Sequence, residues 1–355
     1  MRVGVDGMGK NGKYNEMDLS MLCHQYSLVL KSGIHPVEGI PLISEDTKNP
    51  SLKKALDRIS VDVVHGMPLY KAFEGTKCFP AYMIAMIRVG EQTGMLETVM
   101  DGLSSFYENQ SDIRKKIRSA VSYPIILAVL ILGVIALISI KVIPMFVDIL
   151  TSLGGQIPSQ VGFFMALGGA FQNGLIYIIA IIFIIFVGAF LLVRLPKFRF
   201  FIDKLKLNNP VTGNTYRKIT ASRFSGALSL TLKNGLNIME GFTIVSGVLD
   251  NQYVAIKAKE ASKAVTAGKS FSESIQDTGI FPALFTRLVK TGEKTGNLDA
   301  MMDKISHTYQ EEVDASLRRI VSYIEPVCVT VLSLILAGVL LSVILPLISI
   351  MSSIG

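Results

Sequence analysis

Chemistry in this 355-residue chain would have to come from very few side chains. Three cysteines (Cys23, Cys78, Cys328) and four histidines (His24, His35, His65, His307) are the only soft-metal or imidazole donors. No cysteine shares a short spacing with another, no C-x-x-C occurs, and the histidines do not pair with the cysteines as a ligand set. Zinc sites need clustered ligands, usually with one pair two to four residues apart. These residues predict no metal site, no disulfide framework and no paired nucleophile and base. Gly7, Gly12 and Lys13 fit the G-x-x-x-x-G-K half of a phosphate-binding loop. Tyr14 stands where a Ser or Thr should hold magnesium, and no strand precedes the loop to present its backbone N–H groups. The segment reads as a flexible, glycine-rich lead. No catalytic residue and no cofactor are expected.

One motif occurs twice. Gly90, Glu91, Thr93, Gly94 and Leu96 spell G-E-x-T-G-x-L, and Gly292, Glu293, Thr295, Gly296 and Leu298 spell it again 202 residues later. At that offset Lys31 and Gly33 fall on Lys233 and Gly235, Phe79-Pro80-Ala81 on Phe281-Pro282-Ala283, Tyr107 on Tyr309, and Pro124 on Pro326. From Ser20 to Pro124, 28 of 105 positions are identical. Chance gives about one in fifteen, so the chain contains a duplication. Two roles suit the motif. It can be a helix junction, with Gly supplying positive φ and Thr capping the next helix. Alternatively, Glu91 and Glu293 can contact a partner from the surface.

The elements that carry the motif read as helices. Leu19, Leu22, Tyr26, Val29 and Leu30 recur at helical spacing, as do Phe224, Leu228 and Leu232. Asn49-Pro50 supplies a cap and a first-turn proline. Pro80 and Pro282 start a helix, Gly94 and Gly296 end it, and Leu96 and Leu298 open a long one. Tyr107 and Tyr309 read as core aromatics. The run Glu311, Glu312, Asp314 reads as a solvated face, with Asp314 in i,i+4 reach of Arg318.

Half of the residues are hydrophobic and only 18% are charged, too few charges for an ordinary soluble surface. Three segments reach the roughly 20 apolar residues that a membrane helix needs. The expected organisation is a lead (1–17), a first helical domain (18–121) and a span (122–147). An external loop (148–173), a second span (174–193) and a basic linker (194–219) follow. A second helical domain (220–325), a third span (326–351) and a tail (352–355) complete the chain. Arg114, Lys115, Lys116 and Arg118 flank the first span. Arg194, Lys197, Arg199, Lys204 and Lys206 follow the second, and Arg318 and Arg319 precede the third. The positive-inside rule puts the N-terminus and both domains in the cytoplasm, and the C-terminus outside. Lys141 and Glu325 mark membrane interfaces. The net charge of +7 suggests nucleic acid at first. Of it, +6 lies in residues 194–325, where anionic lipid or an acidic protein partner explains it equally well. No nucleic acid is expected. A small duplicated transporter or channel is the competing reading, but the spans carry no paired charges at mid-depth.

Helical repeat, span, span, helical repeat, span, with the doubled glycine motif, resembles the PilC/GspF family. These are inner-membrane platform proteins of type IV pilus and type II secretion machines. Ser122-Tyr-Pro124, Val142-Ile-Pro144, Glu325-Pro326 and Leu345-Pro346 are further points of likeness. The resemblance covers about residues 17 to 355; many members carry a longer N-terminal segment, which is expected here to be absent or replaced by a short glycine-rich lead. It implies an all-α membrane protein that couples a hexameric cytoplasmic ATPase to polymerisation of pilin or pseudopilin subunits. It also implies other inner-membrane assembly proteins and membrane lipid as partners, and a homo-oligomer. It leaves open whether the machine is a pilus, a secretion system or a DNA-uptake pseudopilus.

Overall fold

The computed structural model describes residues 14–137, 141, 145, 152, 196–209, 212–249 and 251–354. The Gly7–Lys13 segment and the expected span at 174–193 lie outside them. Among the described residues every element is helical. The first repeat has six helices: α1 (Glu16–Lys31), α2 (Pro36–Asp46), α3 (Pro50–Val64), α4 (Leu69–Gly75), α5 (Ala81–Thr93) and α6 (Leu96–Leu137). After α7 (Pro196–Asn208) come the second six. They are α8 (Gly213–Lys233), α9 (Ile238–Ser246), α10 (Gln252–Thr266), α11 (Phe271–Asp277), α12 (Ala283–Thr295) and α13 (Leu298–Ile354). The starts of α2 to α6 recur 202 residues on as the starts of α9 to α13. The linker expected at 194–219 thus holds α7 and the first turns of α8.

Caps explain where the helices begin. Asn15 accepts from the N–H of Asp18, Asn49 from those of Ser51 and Leu52, Asn237 from Glu240, and Asn251 from Val254. Each satisfies an orphan donor of a first turn. Apolar faces explain the packing. Leu19, Leu22 and Tyr26 are buried as their spacing predicts, with Ile40, Leu56, Ile59 and Phe73 beside them. In the second repeat Phe224 packs against Phe242, Phe281 and Phe285. Polar identities shared by the repeats pin the first helix of each to the last. Ser20 Oγ donates to the Ser104 carbonyl and Ser222 Oγ to that of Ser306. Lys31 pairs with Asp101 at 3.2 Å, and Lys233 with Asp303 at 3.0 Å.

The described residues fall into two compact units. One gathers residues up to Lys116 and from Arg199 to Ala315; the other gathers Ile117–Phe198 and Ser316–Gly355. The expected domain edges at 121 and 325 fall inside α6 and α13, which continue through them. Both repeats therefore belong to one unit, and they dock asymmetrically. The α8 face of the second repeat meets the α5 and α6 faces of the first. The Tyr82 hydroxyl donates to the Ala227 carbonyl at 3.0 Å. Gly102 leaves room for Leu230, since a Cβ there would lie 2.1 Å from Leu230 Cδ1. Lys116 of α6 pairs with Asp314 of α13 at 2.6 Å. This corrects the expected Asp314–Arg318 pairing, and Glu312 likewise pairs with Lys218. Within the acidic run Glu312 and Asp314 are cross-links, while Glu311 is exposed.

In the second unit, large apolar side chains of α6 and α13 face outward. Ile126 is 66% exposed and Leu334 is 68% exposed, with Ile125, Val129, Leu130, Val327 and Val329 similarly bare. Among the described residues no helix is long and apolar enough to cross a membrane.

Candidate functional site

The doubled glycine motif forms the same junction in both repeats. The last turn of α5 carries Gly90 and Glu91, and Gly94 ends it at φ +72°. In the second repeat Gly292 and Glu293 lie in the last turn of α12, and Gly296 ends it at φ +69°. Only glycine adopts this left-handed cap without strain. The expected cap from threonine is corrected. Thr93 Oγ1 donates back to the Val89 carbonyl and Thr295 Oγ1 to that of Thr291, so both close their own helix rather than open the next. Gly90 and Gly292 permit close approach instead. A Cβ on Gly90 would lie 3.0 Å from the Leu96 backbone, and one on Gly292 2.9 Å from Met301 Cβ.

The glutamates reach a different helix. Glu91 accepts from the N–H groups of Leu69 and Tyr70 at 2.8 and 3.2 Å, the first turn of α4. Glu293 accepts from Phe271 and Ser272 at 2.8 and 3.1 Å, the first turn of α11, and from Ser270 Oγ at 2.9 Å. A carboxylate at a helix start meets orphan donors and the positive end of the dipole. Partial burial raises the Glu293 pKa, and the donors of Ser272, Ser270 and Phe271 more than offset it, so the group titrates below the ordinary carboxylate value. Both carboxylates are therefore engaged at equivalent helix starts in the two repeats.

No bond-making chemistry gathers around the motif. Among the described residues no three His, Cys, Asp or Glu side chains converge as metal ligands. Where Tyr14, Tyr82, Phe106, Tyr107 and Arg223 converge between the repeats, the cavity is about 40 Å³. That holds a water or two, whereas small-molecule sites run to several hundred Å³. Tyr107 and Tyr309 are buried core aromatics, as their spacing predicts. Burial pushes the Tyr309 phenol up to about 12 and the Cys23 thiol far above its usual value. Neither is a nucleophile at neutral pH.

The family of this duplicated helical unit is decided by its relatives. Residues 22–144 and 224–346 each match the family described as Type II secretion system (T2SS), protein F. The chain belongs to this family. Its two matches stand 202 residues apart, the offset at which the helices repeat. Among curated relatives of this T2SS protein F family member is the type IV pilus assembly protein PilC of Thermus thermophilus. It is 30% identical over 95% of this chain and 84% of its own length. The PilC of Pseudomonas aeruginosa is 27% identical over 99% and 95%. The type II secretion system protein F of Vibrio cholerae is 22% identical over 93% and 81%.

Surfaces are what remain for function. The docking face of α8 has a counterpart on α1 that is more exposed among the described residues: Leu230 is 8% exposed, whereas Leu28, its equivalent, is 48% exposed. On α10, Ile256, Lys259 and Lys263 share an outward face, while Lys257 is tied to Glu260 at 2.8 Å. Lys141 is exposed. Glu325 lies within α13, and its side chain is outside the described set. Sequence reasoning missed α7 and the Lys116–Asp314 bridge. The repeat offset links neither to a described counterpart, because α7 maps outside the described residues and the bridge joins unlike positions.

Proposed function

We propose that this protein is an inner-membrane platform of a type IV pilus or type II secretion machine, built to transmit force rather than to catalyse. Membership of the T2SS protein F family supports the assignment, and the relatives' names supply both machines. The observation that carries the membrane reading is the row of bare apolar side chains on α6 and α13. A contiguous apolar surface of this kind needs a lipid or protein cover. With it go the finer expectations: three spans, both repeats in the cytoplasm, and the C-terminus outside.

The energy for polymerisation comes from a partner in this reading. A hexameric cytoplasmic ATPase engages the repeats, and pilin or pseudopilin subunits are drawn from the bilayer beside the spans. Lys259 and Lys263 are offered to an acidic partner surface, because both are exposed and charged alike. The test is genetic and then biochemical. Deletion abolishes surface fibres, secretion or DNA uptake; intact function in all three assays overturns the assignment. Lys259→Glu with Lys263→Glu reduces co-purification of the ATPase, and undiminished recovery removes α10 from the interface.

A further inference from the structure

We propose that α7 lies in the headgroup layer of an anionic bilayer, with Phe201 and Leu205 turned toward the acyl chains. The inference rests on reading residues 174–193 as a membrane span. Its inward face is fixed. Asp203 is 5% exposed, and its Oδ2 accepts from the Gln252 N–H at 3.0 Å. Its carbonyl accepts from Asn251 Nδ2 at 2.9 Å. Leu207 is buried, and the Phe200 ring meets Tyr253 at 5.6 Å. These contacts seat α7 on the start of α10 and leave one side free.

On the free side Phe201 is 61% exposed and Leu205, one turn on, is 56% exposed. Two bare apolar residues at i and i+4 are not placed there by a core. The helix also carries Lys197, Arg199, Lys204 and Lys206 against a single acid, Asp203; Lys206 pairs with it at 3.3 Å, and Lys204 lies 5.9 Å from the centre of the Tyr253 ring. An apolar stripe set among cations is the composition of a helix that rests on anionic lipid.

The chain's reach favours lipid over a protein partner. Pro196 follows Val193 by three residues. At about 3.5 Å per residue the start of α7 lies within about 11 Å of the end of the span. A headgroup layer is about 5–7 Å deep on each side of the hydrocarbon core. A basic helix tethered so closely meets phosphate groups before it meets anything else.

The chain has no tryptophan, so a single one reports its own surroundings. The full-length Phe201→Trp variant is reconstituted in phosphatidylglycerol bilayers containing lipid brominated near the headgroup end of its chains. Blue-shifted emission and strong quenching by the bromolipid are expected, both weakened in phosphatidylcholine and by adding Lys204→Glu. Leu205→Trp should give the same pattern one turn on. Emission from a water-exposed indole, unquenched by bromolipid, overturns the proposal. So does a blue-shifted indole that bromolipid leaves untouched, since protein then covers the helix. Phe183→Trp, read in bilayers whose lipid is brominated near the ends of its chains, separates the two premises. If it is quenched while the Phe201→Trp and Leu205→Trp variants are not, α7 is off the membrane and the span stands; if it is not quenched, the span itself fails.

Discussion

Glu91 and Glu293 occupy equivalent places and cap equivalent helices. Replacing either by Ala strands two first-turn N–H groups, a loss of about 1–2 kcal/mol. Thermal melts of the single variants should fall by a few degrees, and an unchanged melt would separate these residues from capping. Glu293 also makes stability depend on pH. Its folded pKa is lowered, so its contribution is complete above the ordinary Glu value of about 4.3. The contribution is lost as pH falls through the depressed folded value. Glu293→Gln should flatten this part of the acid limb of the stability profile while leaving neutral-pH stability reduced. The glutamate pair was visible in the sequence as a repeated identity. Its acceptors were not, because α4 and α11 lie more than 20 residues earlier and only packing brings them to the motif.

Between elements, the contact of α6 with α8 rests on a glycine and a leucine. Gly102→Ala places a methyl against Leu230, and overpacking of this kind costs about 1–3 kcal/mol. Leu230→Ala costs about 2–5 kcal/mol through the cavity it leaves. The double variant should cost less than the sum, because the added methyl fills part of that space. Strict additivity of unfolding free energies would place the two side chains out of contact. The asymmetry of docking gives a second test. Leu230→Asp should unfold the unit or sharply lower its melting temperature, whereas Leu28→Asp, its counterpart on α1, should change the melt little, being 48% exposed. Equal effects would mean that both faces are covered. Nothing in the repeat alignment foretells which copy docks, since the offset treats Leu28 and Leu230 alike.

For the whole molecule, the design joins a compact helical unit holding both repeats to a second unit with bare apolar helices. Helices α6 (Leu96–Leu137) and α13 (Leu298–Ile354) are each continuous. A stiff helix passes displacement along its length without needing a reaction centre. On the proposed function, a Gly-Pro insertion in α6 near Ser119 should leave the protein expressed and folded but abolish fibre assembly. Normal assembly would show that continuity of this helix is dispensable.

The amino-acid order alone determined the duplication, the helical class and the helix starts near Pro50, Pro80, Leu96, Pro282 and Leu298. These follow from local rules: apolar spacing, caps, prolines, and glycines at helix ends. Tertiary structure decided which polar group meets which. It gave the glutamates to α4 and α11, turned Thr93 and Thr295 back into their own helices, and paired Asp314 with Lys116 instead of Arg318. It also put one repeat's docking face to use, while among the described residues the other's is more exposed. Local spacing cannot fix these, because the glutamates meet helices that only packing within a repeat brings to them, and Lys116 and the docking face depend on packing between the repeats.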